Sequence, residues 1–284
     1  MPHRGIATIL CALFACACGG PAKRLEQARD MALAGHKRAA LLEAKALLFS
    51  IGSRRDPKTD PARRGALKLA GDLCALHLDD PRCAANQYRE LVRAYPTAPE
   101  SFEARERLGD LDLRLGDPRA AIEAWRDQVA AGPKRPGADA ALLKVARALV
   151  DLADYAGARL AASELQARWP GSPLGPKAAL LAASTFHLAA SHAEAVVAYR
   201  GVAEQHRGSP EGADALFEMG NCLVEQGEDE KAMPAFTAAL RLHKEPELVQ
   251  FALERSQRRL ALVRAVDPKD RAAVWDRIAQ RAQK

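Results

Sequence analysis

A period of 37 residues runs through most of this 284-residue chain. Pro96, Pro133 and Pro170 fall on it, as do Pro99, Pro136, Pro173 and Pro210. Rings keep the same step at Tyr88, Trp125, Tyr199 and Phe236, with Ala162 where the ring is missing. A row of small residues follows at Ala84, Ala121, Ala158, Ala195 and Ala232. Self-similarity at this length specifies a linear array, in which each unit is one supersecondary element that buries its apolar face on its neighbours. Aromatic residues make up only 5% of the chain, which disfavours sandwiches and barrels, whose strands want β-branched and aromatic side chains. An apolar share of 48% beside 27% charged residues argues against a wholly disordered chain.

Within one unit the pattern is helical. From Arg107 to Pro133 one amphipathic stretch is followed by the break Gly116-Asp117-Pro118 and then by a second amphipathic stretch. Asp117 is placed to cap the second helix, with Pro118 in its first turn, where no amide hydrogen is needed. Asp80-Pro81 repeats the device one unit earlier, and Ser172-Pro173 and Ser209-Pro210 repeat it at the starts of later units. Each unit therefore reads as an antiparallel helix pair.

The small and aromatic residues of these pairs resemble the tetratricopeptide repeat family. The unit around residue 220 carries Gly220, Gly227, Ala232, Phe236 and Ala239 at that family's signature positions, and the unit before residue 133 carries Gly109, Gly116, Ala121, Trp125 and Pro133. Two looser units hold Ala146, Ala158, Ala162 and Pro170, then Ala183, Ala195 and Tyr199. An earlier unit keeps Gly71, Ala84, Tyr88 and Pro96 with one extra residue before Pro81. The resemblance implies an all-α fold, a right-handed α-solenoid of helix pairs with C-terminal capping helices. The expected order is a looser first repeat over 24–50, a polar joint over 51–64, five repeats over 65–245, and capping helices with a basic tail over 247–284. Val249, Leu253, Leu260 and Val263 mark the apolar side of the first capping helix, and Asp267-Pro268 opens a second. Position 8 of one helix (Gly109, Gly220) is expected to meet position 20 of the next (Ala121, Ala232) where the backbones cross, with the ring at position 24 filling space towards the neighbouring unit.

The amino terminus has a different character. After Arg4, residues 6–17 form an uncharged apolar run, too short to span a bilayer and the right size for the core of a signal peptide. Leu13-Phe14-Ala15-Cys16 resembles the lipobox of bacterial lipoproteins, and Ala15-Cys16-Ala17-Cys18 offers a second version. The resemblance implies a signal over 1–17, acylation of Cys16 (alternatively Cys18), and palmitate-bearing anchorage in the outer membrane facing the periplasm. Several acyl chains on one residue make a firm anchor, at about 0.8 kcal/mol per buried CH₂. An ordinary secretory signal, or a cytoplasmic chain with an apolar start, are the other readings. Cys74 and Cys83 suit either a disulfide across a helical hairpin, in an oxidising compartment, or small apolar packing.

The same family resemblance carries a binding groove on the inner faces of the first helices. By register it assigns Glu103, Glu106, Asp110 and Arg114 in the third unit, and Leu143 and Arg147 in the fourth. Lys177, Leu180, Ser184, His187 and Leu188 follow in the fifth, and Asp214, Phe217, Asn221, Val224 and Glu225 in the sixth. The expected partners are other envelope proteins, held by apolar members such as Phe217 and oriented by the acidic third unit. The variant of the family with a carboxylate clamp is not matched, because Phe217 stands where the clamp has lysine.

No catalytic constellation emerges, and no cofactor or metal is expected. The histidines are scattered, and His187 and His192, five apart, do not share a helix face. Nucleic-acid binding needs a basic stripe or stacking platform that the repeats lack. Nearly all of the net charge of +6 sits in residues 251–284, which hold nine Lys or Arg against four Asp or Glu. This basic tail suits anionic head groups, an acidic partner, or simple solvation of the exposed end. The function implied is a membrane-anchored periplasmic adaptor, with no enzymatic activity and no small-molecule substrate. A component of outer-membrane β-barrel assembly is the narrower alternative, and a solute- or glycan-binding periplasmic protein the alternative of another class. Intact-mass analysis of the protein from cells is expected to show a chain starting at Cys16 or Cys18 with added acyl mass. A soluble chain of unmodified mass would contradict the anchor.

Overall fold

The computed structural model describes residues 19–265, as thirteen α-helices and no strand among those residues. They fall into two compact units that divide between Val145 and Ala146. The first contains α1 (Pro21–Leu33), α2 (Lys37–Ile51), α3 (Asp60–Leu76), α4 (Pro81–Ala94), α5 (Pro99–Arg114) and α6 (Pro118–Ala131). The division falls inside α7 (Ala138–Asp151). The second continues with α8 (Tyr155–Arg168), α9 (Gly175–Leu188), α10 (His192–Gln205), α11 (Pro210–Glu225), α12 (Asp229–Ala239) and α13 (Pro246–Ala265). From α1 to α6 and from α8 to α13 each helix packs on its successor, and odd-numbered helices also pack on the next odd-numbered one: α1 on α3 on α5, then α9 on α11 on α13. Each unit is thus an α-solenoid, with its odd helices forming one layer.

The turn inside each pair recurs five times in register. The residue in the left-handed region recurs at Asp79, Gly116, Ala153, Ala190 and Gly227, each 37 from the last. In the last four, the amide of the following residue returns to a carbonyl five back, as Asp117 to Asp112 and Glu228 to Leu223, and so closes the first helix. That following residue is also the N-cap of the second helix. Asp80, Asp117 and Asp154 each accept the amide three residues on, at 2.9, 3.0 and 2.9 Å. Alanine tolerates this backbone at roughly 1–2 kcal/mol, so the register holds Ala153 and Ala190 where their own preference is otherwise.

Ser209 caps α11 as expected, with its Oγ accepting the Gly212 amide at 3.0 Å and Pro210 in the first turn. Ser172 differs. It accepts the Leu174 amide at 3.1 Å in a turn before the helix, and α9 starts only at Gly175 with Leu174 as N-cap. In the joint predicted over 51–64, α3 already begins at Asp60. Cys74 and Cys83, at the facing ends of α3 and α4, are joined by a disulfide. The first capping helix is α13, with Val249 and Ser256 buried and Val263 exposed. The second, from Asp267, lies outside the described residues, as does the signal segment with Cys16 and Cys18. Among the described residues no helix is long and apolar enough to cross a membrane.

The packing rule at the crossing of each pair is sharper than the sequence suggests. A side chain built on Gly71 would strike the ring of Tyr88, one on Gly109 that of Trp125, and one on Gly220 that of Phe236, in each case far inside van der Waals contact. The nearest obstacle is therefore the ring at position 24, and not Ala121 or Ala232. The rings are almost fully enclosed: Tyr88 and Phe236 at 0% exposure, Trp125 at 2%. Where Ala183 replaces the glycine, its own methyl group stands in the buried layer near the same register, with Tyr199 2% exposed.

Two glycines within helices separate this effect from helix propensity. Gly201, in α10, has open space where a methyl group would go, whereas Gly220 has the Phe236 ring. Gly201→Ala is expected to raise stability by about 0.5–1 kcal/mol. Gly220→Ala is expected to lower it by about 1–3 kcal/mol through overpacking. Denaturation midpoints of the two variants check this, and equal shifts would refute the ring seat.

Candidate functional site

In the second unit the odd-numbered helices enclose a concavity of about 780 Å³. Leu180 of α9, Phe217 of α11 and Leu248 of α13 supply apolar surface. Charges of both signs surround it: Arg147, Lys177 and Lys244 against Glu211, Asp214, Glu218 and Glu245. Arg147 is exposed, Leu180 half-buried, and His187 stands in the wall.

Phe217 is a correction to the sequence reading. Its ring is buried, 5.9 Å from the Phe236 ring and 5.0 Å from the His243 ring, so it forms floor and not an exposed anchor. His243 comes from the turn between α12 and α13. Its Nδ1 lies 3.0 Å from the Glu245 amide and 3.1 Å from the Glu245 carbonyl oxygen, and its Nε2 lies 3.4 Å from Asp214 Oδ1. Asn221 donates to Glu218 Oε2 at 3.3 Å along α11.

The groove residues assigned to the third repeat, and Leu143 of the fourth, fall in the first compact unit and are differently placed. Glu103 and Glu106 are exposed beside a cleft of about 130 Å³, where Arg135 lies 3.7 Å over the Phe102 ring. Lys68 sits 3.1 Å from Glu103, Lys144 2.8 Å from Asp110, and Arg114 2.8 Å from Asp79. The acidic face expected of the third unit is therefore largely neutralised by cations of this chain. Leu143 is buried in the packing at 7% exposure and offers no groove surface.

One grouping was missed. His187, in the last turn of α9, and His192, at the start of α10, are brought together because the chain reverses between them; their rings lie edge to face, 5.7 Å apart. Cys222 and Glu225, three apart on α11, present one face to them. His187 Nδ1 is 3.4 Å from Cys222 Sγ and its Nε2 3.3 Å from Glu225 Oε2, while His192 Nδ1 is 3.0 Å from that same oxygen. Reasoning from one helix face excluded the two histidines as a pair, but they sit on two helices. Cys222 is the free cysteine among the described residues and is buried. Burial, with the carboxylates of Glu225 and Glu218 nearby, pushes its thiol up to about 12. A nucleophile, a base and an oxyanion cradle in one place are not found among the described residues.

Fold and concavity define a helical-repeat binding protein. The tetratricopeptide repeat family profile matches residues 107–173 and 174–245, just under half of the chain. No curated protein sequence matches it. Among solved structures it is similar to MamA, with 20% identity, 60% of this chain and 92% of that one covered, and a TM-score of 0.47. It is also similar to a tetratricopeptide repeat protein from Parabacteroides merdae ATCC 43184, at 16% identity, 84% of each chain and a TM-score of 0.40. A structure of Naa15/Naa10 bound to HypK-THB shares 15% identity over 90% of this chain, with a TM-score of 0.52; the match spans 36% of that longer chain. The last of these likenesses bears on the fold alone.

Proposed function

We propose that the protein is an adaptor that holds a segment of another cell-envelope protein in the concavity of its second unit, while its acylated amino terminus keeps it at the outer membrane. The observation that carries this reading is a recess with an apolar floor and a rim of mixed charge on the inner helices of a tetratricopeptide array. Apolar floor supplies affinity, and rim charges of both signs fix the direction of a bound strand or helix. Because Glu103 and Asp110 already have cations beside them, the oriented capture falls to Arg147, Lys177, Glu211 and Asp214. Placement in the periplasm is supported by the lipobox-like Leu13-Phe14-Ala15-Cys16, and a Cys74–Cys83 disulfide suits an oxidising compartment. Outer-membrane β-barrel assembly is the narrower form of this role.

A second reading follows from size. At about 780 Å³ the recess lies in the range of small-molecule sites, which keeps a solute- or glycan-binding protein in view. One experiment separates the two. A photo-crosslinking residue at Leu248 in intact cells identifies what occupies the recess. The affinity of that partner is then measured for full-length protein carrying Leu180→Ser and Leu248→Ser together, since both side chains are at least partly exposed. Binding is expected to weaken tenfold or more. Unchanged affinity in a folded variant would move the interface elsewhere, and a small molecule bound with no crosslinked protein would favour the second reading.

A further inference from the structure

Beyond the adaptor role, and without resting on it, the geometry points to a metal site: we propose that His187, His192, Cys222 and Glu225 bind one borderline divalent transition-metal ion, zinc foremost, which clasps the α9–α10 hairpin to α11. One ligand atom from each of the four residues lies within 4.8 Å of all the others. A tetrahedral ion with bonds of about 2.0–2.3 Å holds its ligand atoms roughly 3.3–3.8 Å apart. The separations of 3.4 Å between His187 Nδ1 and Cys222 Sγ, and of 3.0 Å between His192 Nδ1 and Glu225 Oε2, are already at or just inside that scale; the 3.3 Å contact of Glu225 Oε2 is to the other His187 nitrogen, Nε2, and the ion takes only one of the two. Turning the His187 ring about its Cβ–Cγ bond presents one nitrogen to the shared centre.

The set of donors selects the ion. Two imidazoles, a thiolate and a carboxylate suit zinc and its neighbours, whereas calcium and magnesium want oxygen alone. A purely hydrogen-bonded cluster explains this arrangement less well. His192 Nδ1 is buried and lies 3.0 Å from Glu225 Oε2, yet it makes no hydrogen bond, because the approach is off the donor direction. A thiol contributes little to such a network, but it is a strong ligand once its proton has passed to solvent.

Ligands drawn from two repeats make the ion a cross-link. His187 also stands in the wall of the concavity, so occupancy sets the position of that wall. With all four positions filled by protein, the site is structural and not catalytic.

The test uses the purified full-length protein, stripped with a chelator and titrated with zinc alone, with cobalt as the spectroscopic probe. One cobalt per chain is expected, with tetrahedral d–d bands and a thiolate-to-cobalt charge-transfer band, together with a rise in melting temperature on adding zinc. Cys222→Ser is expected to abolish the charge-transfer band, and His192→Gln to weaken zinc binding at least tenfold. His36→Gln, at an exposed histidine of the first unit, should change neither. Circular dichroism checks that the variants are folded; should Cys222→Ser fail to fold, His192→Gln and Glu225→Gln carry the decision. No stoichiometric binding, an octahedral cobalt spectrum without the thiolate band, or full affinity in His192→Gln would overturn the site.

Discussion

The structure depends on a ring lying over a helix that has no side chain beneath it. Gly71, Gly109 and Gly220 leave bare backbone in the first helix of a pair, and Tyr88, Trp125 and Phe236 fill that space from the second. The ring fixes how far apart the two helices lie and at what height they cross. Enclosed rings carry large apolar area, and an interior packed as densely as a crystal leaves no slack for a methyl group beneath them. Polar atoms accommodate the same geometry: the Tyr88 hydroxyl donates to Asp72 Oδ1 at 2.6 Å, and burial with that carboxylate nearby holds its pKa far above the usual phenol range.

The turn is the second fixed part. A left-handed residue closes one helix, and the next residue caps the following helix, so two residues reverse the chain with most backbone groups satisfied. This brevity has a chemical consequence at the α9–α10 turn. Residues that end one helix and start the next are held face to face, which is how His187 and His192 meet.

Much of the fold was legible because the repeat writes each instruction several times. The 37-residue step, the aspartates that cap second helices and the prolines of the joints are local signals with local causes. The seating of each ring directly on a glycine was not legible, because sequence shows which positions are small but not which neighbour fills the space. The site was legible in register but not in exposure. Phe217 falls on the inner helix as expected, yet its ring is covered by His243, which arrives from a turn 26 residues on. Glu103 and Asp110 read as an acidic face because their counter-ions, Lys68 and Lys144, lie about one repeat away. The His–Cys–Glu grouping escaped for a related reason: Cys222 and Glu225 stand 35 and 38 residues from His187, a spacing that carries meaning only once neighbouring repeats are stacked.

The account's central claim is that ring and glycine form one energetic unit. A double-mutant cycle on Gly109 and Trp125 tests it most directly, through the denaturation free energies of Gly109→Ala, Trp125→Leu and the double variant. Each single change is expected to destabilise, one by overpacking and the other by lost burial. In the double variant the smaller leucine should make room for the methyl group, so that its loss falls short of the sum by more than about 1 kcal/mol. Losses that add to within about 0.5 kcal/mol would mean that the two residues do not share the space, and would contradict the account.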